Sequence, residues 1–502
     1  MATAIVELRT WMGEISDLRR AAAVLQWDQS TMMPPLGAPR RTEQIATLER
    51  VTHERFISQR TLELIEAAEA DRNGQPEDSV ETRIIAEARR LFEKSRRVPV
   101  DLAAARARAS SRGYKLWVAA RQVDDFSAFA PVLEENFKLA RDYVACFDDY
   151  EHPYDIVLDD FAPGMRTSQV STLLGEMRDQ LLPLIDELSG REIDLTPLHV
   201  RYPVNDQRRL LDQVLRWMGF EDSSWRLDDT VHPFEESFSA TDIRVTTRYL
   251  ETYFPTALYG AMHECGHGLY EAGVDPALQR TPLGTIRSSS IHESQSRLWE
   301  NMVGRGRAFC AALAPALVEH SPGALAGLEP DALFRAVNMV APSMIRIEAD
   351  ETTYGLHIVL RYELERSLLT GDLEVADLPE AWNARMREYL GVEVPSNADG
   401  VMQDVHWSQG LVGYFPSYAI GNLIAGQLWE RANEDISDLD DQLARHELAP
   451  LREWLRENVH RHGSRYSDSD LLARAVGQPV QVMPFINYLR AKLGDVYQLD
   501  LA

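Results

Sequence analysis

Cysteine is scarce in this chain of 502 residues, which contains only Cys146, Cys265 and Cys310. The three lie far apart and show no paired spacing, so a disulfide framework is disfavoured and free thiols in a reducing compartment are expected. The N-terminus also lacks a basic head followed by an apolar run, so no secretory signal is predicted. Both features favour a cytoplasmic protein.

A long apolar run of the kind that spans a membrane is missing as well. The stretch 405–429 contains no Asp, Glu, Lys or Arg, but Gln409, Pro416, Asn422 and Gln427 interrupt it. A membrane-spanning helix needs about 20 predominantly apolar residues. We therefore predict that this stretch forms a pair of buried helices and that the protein has no membrane partner.

Basic residues are outnumbered, with 52 Lys and Arg against 78 Asp and Glu, which gives a formal net charge of −26. Phosphate binding needs a basic stripe, so this balance disfavours a nucleic-acid partner and also adhesion to an anionic membrane surface. The hydrophobic content of 45% is ordinary for a globular protein. At this length the chain can bury a large core in one big domain or in two intimate ones.

Alternating patterns are rare, and most of the chain shows the apolar spacing of helices. A helical subdomain is predicted for roughly 1–190, a seam at Ser189–Asn205, and a metal-site and substrate region for 206–502, all within one catalytic domain of residues 1–502. Helical blocks are predicted at about 4–26, 38–70, 79–96, 99–121, 127–150, 167–188, 331–368, 378–390, 417–434, 438–460, 468–475 and 482–494. One clear strand is predicted within Ala240–Leu250, and a short extended piece at Thr285–Ser290.

The motif that carries chemistry lies in residues 259–270, which read Y-G-A-M-H-E-C-G-H-G-L-Y. His263 and His267 are four residues apart, so on a helix both imidazoles lie on one face and can reach the same metal ion. Glu264 is rotated by about 100° and is suited to deprotonate a metal-bound water rather than to ligate the metal. This H-E-x-x-H order is the signature of zinc peptidases.

The surroundings of the motif indicate a half-buried helix rather than a solvated face. Leu258, Met262, Cys265 and Leu269 form an apolar stripe, which predicts that Cys265 is a core residue and not a ligand. The motif is also rich in glycine, and each glycine costs roughly 1 kcal/mol in a helix interior relative to alanine. That cost indicates a close approach of backbone or ligand.

A catalytic zinc needs a third protein ligand and an open position. Glu293 is the first choice, with His292 and Glu300 as competing ligands. A second interpretation keeps Glu293 out of the metal site, because Ser290 and Glu293 match an S-x-x-E capping box at a helix start. The spacing alone leaves this choice open.

Other polar groups are candidates for binding substrate. Asp242, Arg244 and Thr246 share one face of the predicted strand, which as an edge strand could hold the substrate backbone; the alternative is a plain Asp242–Arg244 ion pair. A polar stripe on the predicted helix 331–368 either makes local ion pairs or uses a buried arginine to clamp a carboxylate. The stripe consists of Arg346, Asp350, Tyr354 and His357. His406 and Tyr414 are either core residues or site residues.

These segments together resemble the carboxypeptidase Taq family of zinc metallocarboxypeptidases over essentially the whole chain. The matching motifs are D-x-R-x-T at 242–246, H-E-C-G-H at 263–267, H-E-S-Q at 292–295, I-R-x-x-A-D at 345–350 and G-Y-F-P-S-Y at 413–418, with W-D-Q at 27–29 and M-P-P at 33–35.

The resemblance implies an all-α dominated metallopeptidase fold with a deep cleft, a small β-sheet beside the metal helix, and a homodimer. It implies a zinc ion, replaceable by Co²⁺ or another divalent ion, that is held by His263, His267 and Glu293. Looser similarity to angiotensin-converting-enzyme-like peptidases suggests His406 and Tyr414, rather than Tyr418, as donors to the oxyanion. Tyr418 is instead assigned to substrate binding.

The sequence therefore predicts a carboxypeptidase that acts on peptides with a free C-terminus, with Glu264 as general base and then acid. Arg346, with Arg244 as the alternative, would anchor the terminal carboxylate. The alternatives are an endopeptidase or oligopeptidase of the same clan, and a non-catalytic helical scaffold with a structural zinc.

Overall fold

The apolar spacing of the sequence is realised as an almost entirely helical chain, which confirms the all-α dominated fold class with a small sheet. The computed structural model describes residues 3–72 and 74–501. Within those residues it contains 21 α-helices and one three-stranded sheet. None of the helices in the described ranges is long and apolar enough to cross a membrane.

Nine helices precede the sheet, and most of them agree with the predicted blocks. The predicted block at 38–70 is two helices, because Ser58 accepts a hydrogen bond from the amide of Thr61 and starts a new helix there. The nine are α1 (Thr3–Thr31), α2 (Ala38–Phe56), α3 (Gln59–Asp71), α4 (Val80–Arg97), α5 (Val100–Gln122), α6 (Phe126–Val144), α7 (Tyr154–Leu158), α8 (Thr167–Leu188) and α9 (Val204–Met218).

The sheet contains β1 (Trp225–Asp229), β2 (Glu235–Ser239) and β3 (Asp242–Thr247) in the order β1-β3-β2. β3 is the predicted strand, and it pairs in parallel with β1 and antiparallel with β2. Since β3 lies between two partners, its expected role as an edge strand is wrong. The extended piece expected at 285–290 is confirmed at Thr285 and Ser288, which have extended backbone angles, but it ends there because a helix begins at Ser289.

Twelve helices follow the sheet, and a π-helical segment, Leu298–Val303, continues the second of them. They are α10 (Pro255–Gly273), α11 (Ser289–Arg297), α12 (Arg307–His320), α13 (Pro322–Leu325), α14 (Pro330–Ala336), α15 (Glu351–Thr370), α16 (Leu378–Leu390), α17 (Pro416–Asp435), α18 (Leu439–Ala444), α19 (Ala449–Asn458), α20 (Asp468–Ala475) and α21 (Met483–Tyr497).

Three of the later predictions are wrong in continuity. The block 331–368 is interrupted at 337–350, where Pro342 lies and where Asp350 caps the amides of Thr352 and Thr353 to start α15. The block 438–460 breaks between α18 and α19, where His446 has a φ of 51°. The charge-free stretch 405–429 is one short 3₁₀ turn, His406–Gln409, followed by the single buried helix α17.

Buried apolar side chains form two clusters. The larger one spans from Ala120 to Leu501 and includes the apolar stripe of α10, with Cys265 fully buried as predicted. The smaller one joins α1, α3 and α4 to Val274, Leu278 and Leu283, which follow α10. The N-terminal helices are therefore packed onto the segment that connects α10 to α11. The subdomain division near 189–205 stays a prediction.

Candidate metal centre

Helix α10 presents His263 and His267 on successive turns of one face. Pro255 occupies its first turn, where the missing amide hydrogen costs no helical bond. The two imidazole rings are 4.9 Å apart between centroids, and each Nε2 faces the same oxygen, Glu293 Oε2, at 3.7 Å and 3.5 Å. The helix thus orients both rings toward one carboxylate.

Glu293 is carried by α11, and the capping-box interpretation of it is wrong. The N-cap is Ser288, whose hydroxyl accepts a hydrogen bond from the amide of Ile291 at 3.1 Å. Glu293 is 5% exposed, and its side chain is free of any capping role. The three ligand atoms of His263, His267 and Glu293 lie within 4.8 Å of one another.

Two glycines explain how these helices approach closely enough. A Cβ at Gly266 on α10 would lie 2.8 Å from the Cα of Ser296 on α11. A Cβ at Gly421 on α17 would lie 2.8 Å from Cγ of Glu293. Both distances are shorter than van der Waals contact allows, so α10 and α17 approach α11 this closely only because glycine carries no side chain at the two positions.

The competing ligands take other positions. Glu300 accepts a hydrogen bond of 2.9 Å from Nδ1 of His263, the nitrogen that points away from Glu293. His292 stacks on His267 with ring centroids 4.4 Å apart, and its Nε2 lies 3.4 Å from Oε1 of Glu271. Neither residue belongs to the three-residue group, and Glu300 instead fixes the orientation and tautomer of the His263 imidazole.

Two arginines surround the carboxylates of this centre. Arg297 donates from Nε to Oε1 of Glu293 at 2.6 Å, and its Nη1 lies 3.4 Å from Glu300, which Arg305 also contacts at 3.2 Å. Burial acts to raise the pKa of Glu300, but the His263 bond and both guanidiniums outweigh it, so that this pKa lies well below its usual range. Glu300 is therefore a carboxylate.

The protonation tendencies of the two ligand histidines differ. Burial, together with the neighbouring His292 and His263, holds the pKa of His267 well below its ordinary value, so its imidazole is neutral, as metal ligation requires. Burial also lowers the pKa of His263, but the Glu293 charge and the Glu300 bond outweigh it and raise that pKa. Glu293 and Glu300 thus stabilise positive charge at His263. The two imidazoles and one carboxylate form a donor set that fits zinc.

Glu264 lies beside the ligands and is 8% exposed. Burial raises the pKa of its carboxyl to about 7, the charges of Glu293 and Glu300 act in the same direction, and His263 opposes them. A carboxyl group next to a metal donor set, withdrawn from water and able to exist in both protonation states near neutrality, has the properties of a general base.

His406, Tyr414 and Tyr418 form an aromatic group next to the metal centre. Nε2 of His406 and the hydroxyl of Tyr418 share a hydrogen bond of 3.1 Å, and the rings of Tyr414 and Tyr418 meet edge to face at 5.2 Å. Burial lowers the pKa of His406 to about 3, so its imidazole is neutral. Burial raises the pKa of Tyr414 to about 12, and the Glu293 charge adds to this effect, so Tyr414 keeps its proton beside Glu293.

Arg346 lies in a 3₁₀ turn, Arg346–Glu348, ahead of α15, so its assignment to a stripe on one long helix is wrong. Its Nε and Nη2 donate to Oδ1 of Asp404 at 3.0 Å and 2.7 Å, and its Nη1 donates to the hydroxyl of Tyr354 at 2.8 Å. Arg361 contacts the other oxygen of Asp404 at 2.6 Å. Two buried guanidiniums therefore face one carboxylate.

The three predicted substrate-binding residues of β3, Asp242, Arg244 and Thr246, make bonds within the sheet and to its immediate neighbours. Arg244 donates to both oxygens of Asp242 at 3.0 Å and 3.1 Å, which is the plain ion pair, and its guanidinium lies against the rings of Trp27 and Phe238. The hydroxyl of Thr246 bonds both the amide and the carbonyl of Phe234, and Thr246 is fully buried. These bonds hold β2 against β3.

Several residues of the centre were not predicted from the sequence. Arg297 follows Glu293 by four residues, so helical spacing was a usable signal for it. Asp404 and Arg361 come together from segments 43 residues apart, and no local pattern announces their contact. Glu365 contacts the segment around His406 in the same nonlocal way.

Known proteins resemble this chain over nearly its whole length. The family model described as carboxypeptidase Taq (M32) metallopeptidase matches residues 7–493. The chain is 38% identical to thermostable carboxypeptidase 1 of Thermus thermophilus, over 96% of this chain and 97% of that protein, and 36% identical to carboxypeptidase 1 of Bacillus subtilis, over 98% and 100%. A crystal structure titled as an M32 carboxypeptidase from Deinococcus radiodurans superposes with a TM-score of 0.96 at 37% identity, covering 99% of this chain and 100% of that one.

Proposed function

This chain belongs to the carboxypeptidase Taq (M32) metallopeptidase family and is a metallocarboxypeptidase, and we propose that it removes single residues from peptide C-termini with one zinc ion per chain. The observation that carries the proposal is the convergence of His263, His267 and Glu293 beside the buried Glu264. Two imidazoles and one carboxylate are a donor set of catalytic zinc, and Co²⁺ or another divalent ion could substitute.

The number of ligands favours catalysis over a structural role for the metal. Within the part of the chain that the structure describes, the group contains three ligating side chains. Structural zinc sites are usually closed by four protein ligands, whereas catalytic sites keep one position for water or substrate. A helical scaffold with a structural zinc is therefore the weaker candidate.

When bound, the zinc would polarise the scissile carbonyl and lower the pKa of a water molecule toward 7. Glu264 would accept a proton from the attacking water and then deliver it to the leaving amine, so that one carboxyl group serves as base and acid in turn. Glu300 would keep Nε2 of His263 directed at the metal by accepting from Nδ1, and Arg297 would hold Glu293 in place.

The oxyanion that develops on the substrate carbonyl would be stabilised by Tyr414 and His406. Tyr414 is protonated and lies next to Glu293, which supports its role as a direct donor. Nε2 of His406 shares a hydrogen bond with the hydroxyl of Tyr418, so His406 would also orient that tyrosine. Removing one donor of this kind typically costs on the order of 10²–10³ in rate.

The free carboxylate of the substrate would bind near Arg346. Arg346 and Arg361 share the single carboxylate of Asp404, so the group carries one more positive than negative charge in a buried position. A bidentate carboxylate is the ligand that a guanidinium fits best. Arg244 is less suited because Asp242 neutralises it one to one, whereas Asp404 is shared between two arginines. Asp242 and Tyr418 would line the surrounding site, and the buried Thr246 would support it from within the sheet.

Release of free amino acids from N-blocked dipeptides tests the proposal. We expect release from dipeptides with a free carboxylate, loss of release after treatment with a chelator, and recovery when Zn²⁺ or Co²⁺ is added. A C-terminally amidated, internally quenched peptide is the control, because it offers no charge to Arg346. Rapid cleavage of the amidated peptide would favour the endopeptidase or oligopeptidase alternative instead.

Two further expectations concern the whole protein and stay predictions, namely a cytoplasmic location and assembly into a homodimer. Sedimentation of the purified protein measures the second directly.

A further inference from the structure

One buried carboxylate outside the metal centre contacts both segments that carry the proposed oxyanion donors. Glu365 lies on α15 and is fully buried. Its Oε1 accepts from the amide of Gly413 at 2.7 Å and from the hydroxyl of Tyr154 at 2.5 Å, and its Oε2 accepts from Nε1 of Trp407 at 2.6 Å. Trp407 follows His406, and Gly413 precedes Tyr414.

Burying a carboxylate is costly unless every oxygen is bonded, so an ordinary core position would hold an apolar side chain. Burial raises the pKa of Glu365 to about 7, and the three hydrogen bonds oppose that rise. The indole and the peptide amide are donors only, so each oxygen must remain an acceptor toward one of them. The site is therefore built for a carboxylate rather than for a neutral amide.

Helix α15 also binds the segment 403–413 one turn before Glu365. Arg361 donates from Nε to Asp404 at 2.7 Å and from Nη2 to Gln403 at 2.8 Å. Arg361 and Glu365 are four residues apart, so they lie on one face of α15. Together they bind the segment 403–413 at both of its ends, with His406 between the two attachments.

Gly413 adds a reason why its amide must be held. Its φ of 97° lies in the left-handed region, and a Cβ there would collide with the carbonyl oxygen of Val157. The turn that leads to Tyr414 is thus confined by α7 on one side and by Glu365 on the other. Phe161, just beyond α7, packs edge to face on Tyr414 at 5.0 Å.

From these contacts we infer that Glu365 is a positioning residue for the reaction, which sets the places of His406 and Tyr414 relative to the metal ligands through Trp407 and Gly413. The inference rests on the proposed function in so far as those two residues act on the substrate. The placement itself is a statement about the protein alone and can be measured without turnover.

The main test is the variant Glu365→Gln. An amide offers one acceptor and one donor group, so it must oppose either the indole N–H or the Gly413 N–H. We expect kcat on an N-blocked dipeptide to fall roughly 10- to 100-fold, because misplacement of a catalytic group by about 1 Å costs that much, while KM changes less and zinc content stays at one per chain. Hydrogen exchange should quicken in peptides from 403–415 and not in those from 255–273.

Glu351→Gln is the matched control, since Glu351 is a buried carboxylate on the same helix that contacts Lys492 at 2.8 Å and does not touch 403–415. We expect a lower melting temperature with unchanged kcat and unchanged exchange in 403–415. Equal effects of the two variants on kcat and on exchange would overturn the inference, because Glu365 would then be a structural residue only.

The double variant Glu365→Gln with Trp407→Phe distinguishes a positioning role from a purely structural one, because the two roles predict opposite changes in kcat relative to Glu365→Gln. Without the indole N–H, the amide oxygen can accept from Gly413 and Tyr154, so kcat should recover relative to Glu365→Gln. A merely structural role predicts the opposite, since a smaller side chain among Phe137, Trp382 and Phe415 adds a second defect.

If Glu365→Gln does not fold, Trp407→Phe alone decides the matter, because it removes one of the three bonds. Faster exchange in 403–415 with reduced kcat supports the inference, and no change in either overturns it. If the wild-type protein releases no amino acid at all, the proposed function has failed, and the exchange measurements still decide whether Glu365 positions the segment.

Discussion

The metal centre and the arginine group near it are both buried and highly charged, but their charges are arranged oppositely. Around the ligands, three carboxyl groups (Glu264, Glu293 and Glu300) face two guanidiniums. Around Asp404, two guanidiniums face one carboxylate. A surplus of acid suits a divalent cation, and a surplus of guanidinium suits an anion such as a terminal carboxylate. The excess of carboxyl groups thus supports the divalent metal that we propose, and the excess of guanidiniums supports a substrate with a free carboxylate.

The comparison is tested most severely by removing the base at the acidic centre. Glu264→Gln keeps the size of the side chain but cannot accept a proton, so turnover of a blocked dipeptide should fall on the order of 10²–10⁴-fold. Zinc content, measured by atomic absorption, should stay at the wild-type value because Glu264 is not a ligand. Retained turnover would show that another group is the base.

Removing the surplus guanidinium should affect substrates with a free carboxylate selectively. Arg346→Met should lower kcat/KM for a blocked dipeptide about 100-fold, since a buried charge pair that loses one partner costs several kcal/mol. Cleavage of any amidated peptide should change much less. Arg244→Met is the control, because Asp242 neutralises that guanidinium alone and leaves no surplus of positive charge. The assignment is wrong if Arg244→Met has the larger effect.

A smaller effect is expected where a ligand is oriented rather than removed. Glu300→Gln should weaken zinc binding about 10- to 100-fold, because the carboxylate that fixes the His263 imidazole becomes a neutral amide. Competition with a fluorescent chelator measures the affinity. Glu271→Gln, beside His292 but not bonded to a ligand, should leave zinc affinity near the wild-type value. Equal losses in both variants would point to a general effect of charge.

The last expected effect is on stability rather than on turnover or zinc affinity, and it depends on pH through a residue that supports α11. Asp468 accepts from the hydroxyl of Ser288, the N-cap of α11, and burial raises its pKa to about 6 from an ordinary value near 3.8. A raised pKa stabilises the folded protein below the unfolded value and loses that contribution as pH rises through about 6.

Relative to wild type, Asp468→Asn should therefore gain stability between pH 4 and pH 7, by up to about 3 kcal/mol. Melting temperatures across this range measure the difference. Asp470→Asn, an exposed change on the same helix, should run parallel to wild type. A parallel curve for Asp468→Asn would contradict the assignment.

The two charged regions also differ in how far they could be predicted. His263, Glu264 and His267 are joined by helical periodicity, and the structure brings Glu293 to them as the resemblance implied. Asp404 meets Arg361, and Trp407 and Gly413 meet Glu365, only after α15 packs beside the segment 403–413, and no local period links these distant segments. Local order is readable from residue spacing, whereas long-range contact is not.

The errors in the fold have the same origin. β1 and β2 were missed because W-R-L-D-D and E-E-S-F-S contain few residues that favour strands, and pairing with β3 decides their conformation. The sequence predicts one helix over 331–368 because the apolar spacing continues through a stretch that Pro342 and the Asp350 cap interrupt. In each case a partner or a cap outweighed the local pattern.

The absence of a side chain at Gly421 determines how close Tyr418 on α17 lies to Glu293 on α11. Tyr418 and Gly421 are three residues apart on α17, so one ridge of a single rod bears the phenol and also rests on the methylene groups of Glu293. The helix therefore fixes the distance between the Tyr418 hydroxyl and the proposed metal ligand Glu293, because only bare backbone at Gly421 lies against that residue. An added methyl group, as in Gly421→Ala, would push α17 away from Glu293, and every substrate would meet a longer distance between the two groups.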